Sequence, residues 1–435
     1  MWSVSSMLVL FLLLVAGAAS GADSGVDSGV DSGVDSGVDS VADSTADSTA
    51  QIDASANSYT LREQCPPSFE KTAQGTCLLR TMYEFYTSVQ GRGLGGIQTN
   101  LPKHRDGFTP QQIDLGRYLF FDPALSGDGS LSCASCHHPG KGFSDNLPRS
   151  VGIRGQEVSR AAPTLWNVAF LDRFYWDGRA RTLEGQILGP LFAPDEMGNT
   201  PDQLLATLNG IPAYVGMFRE AFPQSMGDEL QLQDIYVAIT AFQTSLISLN
   251  SRYDRYAHGY HAALSEPEIE GLNIFRSFVA RCAECHTPPL FTNQQIAVIG
   301  APEPDGRFFD IGAEKTYNAA KLKGGFKVPT LRNIANTAPY MHSGLFDTLR
   351  DTAEFYNKGR GHAVPEGVDL HLHWHITSPD LTDYELDRLV DFLGTLTDES
   401  LTPQIPASVP SGLGPIGHES TGRYANTNIT SGDSS

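Results

Sequence analysis

Two copies of the motif Cys-x-x-Cys-His define the chemistry that this chain can carry. They are Cys133-Ala-Ser-Cys136-His137 and Cys282-Ala-Glu-Cys285-His286. Two cysteines at this spacing can both reach the vinyl groups of one porphyrin, and the histidine that follows then lies beneath the iron. A four-cysteine zinc site is the alternative, but each pair carries its own histidine. The motifs therefore predict two covalently bound c-type haems, with His137 and His286 as proximal iron ligands.

The ligand on the far side of each iron decides between electron transfer and catalysis, because only an open iron can bind a small oxidant. No histidine lies between His138 and His258, and Met197 is the nearest soft ligand in the first half of the chain. His138 adjoins the proximal residue and cannot reach across the ring. The sequence therefore predicts a five-coordinate, open first haem.

The two remaining cysteines, Cys65 and Cys77, lie in a segment that contains proline and glycine. In an oxidising compartment we expect them to form a disulfide. A redox-active thiol pair is the alternative, although nothing around them resembles an activated thiolate.

Composition limits the compartment and the partners. The chain has 435 residues and a formal net charge of -20, which argues against nucleic acid and anionic lipid as partners. Residues 7–16 form an apolar run followed by small residues, as in a signal peptide, and the run is too short to span a membrane. We expect export, to the periplasm or the cell surface.

The remaining chain divides by composition and helical periodicity. We expect a signal peptide at 1–20, a disordered acidic repeat tether at 21–57, an extension with the two extra cysteines at 58–105, and a flexible tail at 401–435. Thr109 and Ser265 each begin a capping-box pattern that leads to a Cys-x-x-Cys-His motif. The core is thus predicted to be two cytochrome c-like haem domains of one ancestry, at 106–262 and 263–400.

The fold class predicted by the periodicity is mainly α. Apolar residues recur at helical spacing over 232–249 and again over 382–396, where Thr382 and Glu385 form a further capping box. Strand-like alternation is short and rare.

Several longer segments carry a family resemblance. They are SCASCHHPGKGFSD, APTLWNVAF, YWDGRARTLEGQILGPLFAPDEMG, CAECH and FKVPTLRNIANTAPYMHSGLFDTLRDTAEFYNKG. Over about residues 107–397 the chain resembles the bacterial di-haem cytochrome c peroxidase and MauG family.

The resemblance implies roles for four side chains near the first haem. It places Gln186 and Glu196 on the distal side and Pro190 near the iron, and it puts Trp176 between the two haems as an electron relay. A distal carboxylate can take a proton from bound H2O2 and deliver it to the departing oxygen. Without the resemblance, Glu196 would be a surface or helix-capping acid and Trp176 a core residue.

The second haem separates two branches of this family. Cytochrome c peroxidases place a methionine on its iron, fourteen residues after the histidine of a Pro-Tyr-x-His motif. Here that histidine is His342, and the corresponding position is Tyr356, so the chain resembles the MauG-like branch. A phenolate favours oxidised iron, whereas methionine favours reduced iron.

The resemblance also suggests a Ca²⁺ ion between the haems, held partly by carbonyl groups of Thr337 and Pro339. The family's asparagine ligand is replaced here by Ala161, so calcium is an open expectation.

Two further groups of residues could bind ligands. Arg179, Arg181 and Arg332 could pair with haem propionates, or lie on the surface. His371, His373 and His375 would present one imidazole face as a strand and could bind copper or zinc, the alternative being an exposed polar strand edge.

Three functions remain as hypotheses. The first is a MauG-like enzyme that uses H2O2 to oxidise a partner protein. The second is a peroxidase that reduces H2O2 to water with electrons from a small redox protein. The third is a non-catalytic di-haem electron-transfer protein, which requires both irons to be six-coordinate.

Overall fold

Two helix pairs of one design form the frame of the structure. In the first, α1 (Pro110–Phe121) packs against α6 (Leu232–Thr244). In the second, α8 (Glu266–Phe275) packs against α12 (Asp383–Gly394). α1, α8 and α12 begin with the predicted capping boxes, which confirms those helix starts.

A glycine lets the helices of each pair cross closely. A Cβ atom on Gly116 of α1 would lie 1.8 Å from the carbonyl oxygen of Ala238 on α6. A Cβ atom on Gly271 of α8 would lie 1.9 Å from the carbonyl oxygen of Arg388 on α12. The two crossings therefore have the same steric requirement, which supports a common ancestry of the two halves.

A phenylalanine one turn after each glycine joins an aromatic cluster. Phe120 lies 5.0 Å, between ring centroids, from Phe242 of α6. Phe275 lies 5.1 Å from Phe392 of α12. These rings are buried, so the two clusters form equivalent parts of the two hydrophobic cores.

The computed structural model describes residues 59–85, 101–225, 227, 229–359 and 361–417. The predicted signal peptide and the whole of the predicted tether lie outside these ranges. The other elements are short, and they are β1 (Phe69–Lys71), β2 (Cys77–Leu79), α2 (Cys133–Cys136), α3 (Leu183–Phe192), α4 (Pro201–Asn209), α5 (Pro212–Ala221), α7 (Arg252–Ala257), α9 (Cys282–Cys285), β3 (Ile296–Val298), α10 (Ala313–Tyr317), β4 (Gly325–Lys327) and α11 (Leu349–Lys358).

The strands form two small antiparallel ladders, β1 with β2 and β3 with β4. The mainly α class predicted from the sequence is confirmed. The described part of Asn57–Ser435 groups as one unit, so the division into two haem domains near residue 262 stays a prediction. Within the described ranges, no helix has the length and apolar character needed to cross a membrane.

The extension before α1 is cross-linked as predicted. Cys65 and Cys77 form a disulfide, and it closes the hairpin of β1 and β2. The backbone N–H of Cys77 donates to the carbonyl of Phe108 in the first half at 2.8 Å. The buried Tyr83 donates to Asp254, and its hydroxyl accepts a hydrogen bond from Arg332 in the second half at 3.4 Å. The extension therefore contacts both halves of the structure.

The prediction of a flexible tail from residue 401 onward is wrong for residues 401–417. Val409 is fully buried, and the Ser411 hydroxyl donates to Asp122 at 2.6 Å. The backbone N–H of Ile416 donates to the carbonyl of Phe121 at 3.1 Å. A few apolar side chains without periodicity are enough to hold this segment against the first half.

The glycine crossing gives a direct test of the fold. We expect Gly116→Ala to lower the free energy of unfolding by about 1–3 kcal/mol, since the methyl group forces α1 away from α6. Gly216→Ala is the matched control, because Gly216 lies in α5 with no neighbouring atom within 4 Å of the added carbon. Urea unfolding followed by circular dichroism should show the control to be unchanged or slightly more stable. Equal stability of the two variants would contradict the close crossing.

Candidate active site

The first Cys-x-x-Cys-His motif forms one wall of a large cavity. Cys133 and Cys136 lie on α2, and His137 follows at its end; all three line the cavity. The Nδ1 atom of His137 lies 3.0 Å from the carbonyl oxygen of Phe143. Burial lowers the pKa of His137, so the imidazole is neutral at pH 7. Nδ1–H donation to this carbonyl leaves Nε2 free to bind iron.

The second motif repeats this arrangement. His286 follows α9, and its Nδ1 atom lies 3.1 Å from the carbonyl oxygens of both Phe291 and Pro329. Burial lowers the pKa of His286 to about 4. Two thiols and an oriented, neutral imidazole are the donor set that a c-type haem requires, so the residues of both motifs fit the cofactor.

The four side chains predicted near the first haem all line the same cavity as His137. Gln186 and Pro190 lie on α3, which Thr182 caps through its side chain. Glu196 follows in a loop, where its carbonyl accepts the backbone N–H of Ile153 at 2.8 Å. The structure therefore brings together residues from three separate segments of the chain.

Glu196 has an environment suited to holding a proton. Burial raises the pKa of Glu196, the neighbouring Asp195 raises it further, and Arg179 partly offsets both. Glu196 therefore keeps its proton to a higher pH than an exposed glutamate does, as suits a group that accepts and returns a proton.

Trp176 forms hydrogen bonds with backbone groups of both halves. Its indole N–H donates to the carbonyl of Ala161 at 2.8 Å, and its own carbonyl accepts the backbone N–H of Lys327 at 2.6 Å. Its ring centroid lies 6.3 Å from that of His342. Since Lys327 and His342 belong to the second half, Trp176 lies at the junction of the two halves.

His342 and Tyr356 occupy different environments. His342 is buried, stacks on Phe326 at 3.7 Å and places Nε2 2.7 Å from a carboxylate oxygen of Glu303. Tyr356 lies on α11, where burial raises its pKa.

Comparison with known proteins agrees with this geometry. The family model described as di-haem cytochrome c peroxidase matches residues 110–262. The methylamine utilization protein MauG of Methylorubrum extorquens is 35% identical over 303 residues, which cover 68% of this chain and 82% of that protein. This chain belongs to the di-haem cytochrome c peroxidase and MauG family.

Other relatives come from both branches of the family. Cytochrome c551 peroxidase of Pseudomonas aeruginosa is 37% identical over 245 residues, covering 55% of this chain and 70% of that protein. The crystal structure of a MauG-like protein associated with microbial copper homeostasis matches with a TM-score of 0.63 and 32% identity, covering 70% of this chain and 95% of that one. The chain is therefore an oxidoreductase of the di-haem peroxidase type, and its family carries covalently bound haem c.

Sequence reasoning missed Lys327 as a residue of this peroxidase site. Its partly buried side chain lines the first-haem cavity, and loss of hydration there lowers its pKa to about 8. A partly buried ammonium group in this position fits a carboxylate such as a haem propionate. Lys327 belongs to the segment FKVPTLRN, but nothing in the local sequence pattern indicated that its side chain would line the cavity.

Of the three arginines considered for the propionates, Arg332 is excluded. It is fully buried and forms two hydrogen bonds, at 2.6 and 2.7 Å, with Asp254. Arg179 lines the cavity and packs its guanidinium on the ring of Tyr175. Arg181 is exposed. The location of Arg179 is compatible with propionate binding.

The predicted strand over His371, His373 and His375 is wrong, because this segment is irregular with a turn at Trp374. The turn brings the rings of His373 and His375 within 4.9 Å of each other, while His371 is exposed.

The predicted calcium ligands form an incomplete set. Ala161 has no side-chain oxygen, and its carbonyl accepts the indole N–H of Trp176. The Thr337 hydroxyl donates to the carbonyl of Ile334 at 3.2 Å. On either side of Thr337, the carbonyls of residues 336 and 338 accept the side-chain amide of Asn146. Calcium binding through Thr337 and Pro339 stays a prediction.

The Arg332–Asp254 pair predicts a structural effect without a change in the haem sites. Asp254→Asn leaves a buried guanidinium unpaired, so we expect a loss of about 3–5 kcal/mol in the free energy of unfolding. Burial raises the pKa of Asp254, but Arg332 outweighs burial and holds the pKa below 3.8. The stabilisation is therefore present above pH 3.8 and is lost as the pH falls through the lower, folded-state value.

Urea unfolding at pH 7 measures this loss, with Arg181→Ala as an exposed control that should change stability by less than about 0.5 kcal/mol. The haem absorption spectrum of the folded Asp254→Asn protein should match that of the wild type. A spectral change at unchanged stability would instead indicate a propionate contact.

Proposed function

We propose that this enzyme reacts with H2O2 on the distal side of the His137 haem and uses the oxidising equivalents to oxidise a side chain of a partner protein. The observation that carries the proposal is Tyr356 itself, which lies on α11 fourteen residues after His342, where the cytochrome c peroxidases of the family have a methionine. A phenolate donor there makes the second haem suited to holding an oxidised state, in contrast to a methionine donor.

Proton transfer during cleavage of the O–O bond is assigned to Glu196. Cys133, Cys136 and His137 would hold the haem, which would supply the iron that binds H2O2 and, with the second haem, the two electrons that reduce it. The Glu196 carboxylate accepts a proton from one oxygen of H2O2 and delivers it to the departing oxygen, which leaves as water. Gln186 lines the same cavity and can orient the peroxide by hydrogen bonding.

Trp176 connects the two haem sites in this proposal. Its ring lies between the first-haem cavity and the buried His342, and its hydrogen bond to Ala161 fixes the indole plane. An indole can lose and regain an electron, whereas a saturated side chain at this position cannot. Trp176 therefore serves as the relay through which the second haem shares the oxidising equivalents.

The alternative function is reduction of H2O2 to water with electrons from a small redox protein. The relationship to the cytochrome c551 peroxidase of Pseudomonas aeruginosa favours it. Both functions use the residues of the first-haem cavity. They differ in the ligand of the second haem and in the need for a reductant.

Tyr356→Phe tests the proposal at the ligand that distinguishes these functions. Electron paramagnetic resonance of the ferric wild-type protein should show one high-spin and one low-spin haem. The variant should lose the low-spin signal, because phenylalanine cannot donate to iron. Tyr340→Phe is a matched control, since Tyr340 is also buried and its hydroxyl donates to the carbonyl of Ile334; it should keep both signals.

An unchanged low-spin signal in Tyr356→Phe would overturn the tyrosine ligand. With wild-type ferric protein and no reductant, H2O2 should produce a persistent oxidised state under the proposed function. Dependence of peroxide turnover on a small reduced redox protein, without such a state, would support the alternative.

Glu196→Gln tests the proton transfer. The amide retains the size of the side chain but cannot accept the proton, so we expect the second-order rate constant for the reaction with H2O2 to fall by about 10²–10⁴-fold. In the wild type the rate should rise with pH through the pKa of Glu196, which lies above the ordinary value of 4.5. Stopped-flow measurement from pH 4 to 9 should show that Glu196→Gln lacks this rise, while Asp195→Asn retains it. A pH profile shared by wild type and Glu196→Gln would exclude Glu196 as the base.

We also propose export to the periplasm or the cell surface. The disulfide between Cys65 and Cys77 supports an oxidising compartment. The apolar run of residues 7–16, which lies outside the described ranges, agrees with a signal peptide. The partner in this compartment is a protein, as substrate or as electron donor.

A further inference from the structure

A second group of potential ligands lies outside the first-haem cavity, beside the second Cys-x-x-Cys-His motif. The turn at Trp374 brings His373 and His375 together, and His375 Nε2 lies 2.7 Å from a carboxylate oxygen of Glu284. One potential ligand atom of each histidine and the Cys285 sulfur all lie within 4.8 Å of one another. Two segments about ninety positions apart in sequence thus converge on one point.

The group is partly shielded from solvent. The side chain of His375 is 14% exposed and that of Glu284 is 34% exposed. Nδ1 of His375 is buried and has no hydrogen-bond partner among the described residues. Nε2 is close to Glu284 but is not aligned for a hydrogen bond. Neither ring nitrogen of His375 is therefore occupied by a hydrogen bond from the described residues.

Glu284 supplies the negative charge of the group. The ion pair recorded for Glu284 is the one with His375. The guanidinium of Arg281 instead donates to the carbonyl of Phe278 and packs over the ring of Trp374.

A second group of potential metal ligands differs from this one because its carboxylates are already paired with arginines. Glu303, Asp310 and His342 also place potential ligand atoms within 4.8 Å of one another. However, Arg149 pairs with Glu303 at 3.1 Å, and Arg160 makes two hydrogen bonds to Asp310, at 2.7 and 2.9 Å. These arginines already neutralise the carboxylates, so that group is a closed ion-pair network and not a cation site.

We propose that Glu284, His373 and His375 bind a divalent transition-metal ion, Cu²⁺ or Zn²⁺, with water completing the coordination. Two imidazoles and one carboxylate are a ligand set that these ions prefer over Mg²⁺ or Ca²⁺. The Cys285 sulfur is reserved for the thioether bond to haem, so the ion lies beside the attachment point of the second haem.

This position couples the metal to the redox centre. A positive charge near the thioether favours the reduced state of the second haem, because reduction adds an electron to the same region. Occupation of the site would therefore raise the midpoint potential of the second haem and leave that of the first haem nearly unchanged.

Zinc binding to the full-length holoprotein tests the site, because Zn²⁺ has no redox chemistry of its own. Equilibrium dialysis against micromolar Zn²⁺ followed by elemental analysis should show one bound ion per chain, in addition to iron. His373→Ala and Glu284→Gln should each weaken binding by at least about tenfold. His371→Ala is the matched control, since His371 lies on the same segment but is exposed; it should bind zinc as the wild type does.

Spectroelectrochemical titration with and without Zn²⁺ provides the second measurement. The second-haem potential should rise with Zn²⁺ in the wild type and in His371→Ala, but not in His373→Ala. Zinc binding that is equal in the wild type and in both ligand variants would overturn the site, as would the absence of a bound ion. Neither outcome bears on Tyr356 or Glu196, so the proposed peroxidase function is tested separately.

Discussion

The hydrogen bond from each proximal histidine to a backbone carbonyl is the interaction on which both haem sites depend. It selects the Nε2 atom for iron and fixes the plane of the imidazole ring. The acceptors, at Phe143 and Phe291, lie at residues with positive φ, 59° and 55°. Such a backbone is costly for a large side chain, so it needs support from its surroundings.

The aromatic clusters supply that support. Phe143 lies 6.2 Å from Phe120, and Phe291 lies 5.9 Å from Phe275, between ring centroids. Each of these partners follows the glycine at which two helices cross. In each half, the helix pair and its aromatic cluster support the residue whose carbonyl orients the proximal imidazole. The chain contains this arrangement twice. A change in helix packing would therefore alter the orientation of the proximal histidine.

The two units are similar, but the environments that they create are unequal. Around the first, the chain places two partly buried groups, the carboxyl of Glu196 and the ammonium of Lys327. Around the second, it places a partly buried phenol, Tyr356, and the group formed by Glu284, His373 and His375. Trp176 joins the two through hydrogen bonds to residues of both halves. Under the proposed function, this inequality gives the two sites different roles.

Features that depend on neighbours in sequence were predictable. The haem motifs and the capping boxes at Thr109, Ser265 and Thr382 involve residues within four positions of one another, and the periodicity gave the main helices. One helix ends earlier than predicted, because α6 stops at Thr244 and not at residue 249. Leu246 and Leu249 continue the apolar pattern and are buried, but they lie outside the helix.

Features that depend on distant partners were not predictable. The segment around Val409 was predicted to be flexible because it lacks a periodic pattern, yet it covers the first half. Arg332 matched a propionate-binding cation by type, but its partner, Asp254, lies 78 positions away. The sequence by itself determined the cofactor type, the proximal ligands and the helical class, because each is set by local spacing. Only the tertiary structure decided which charges are buried, which arginine is structural and that His375 meets Glu284, because burial and pairing arise when distant segments pack together.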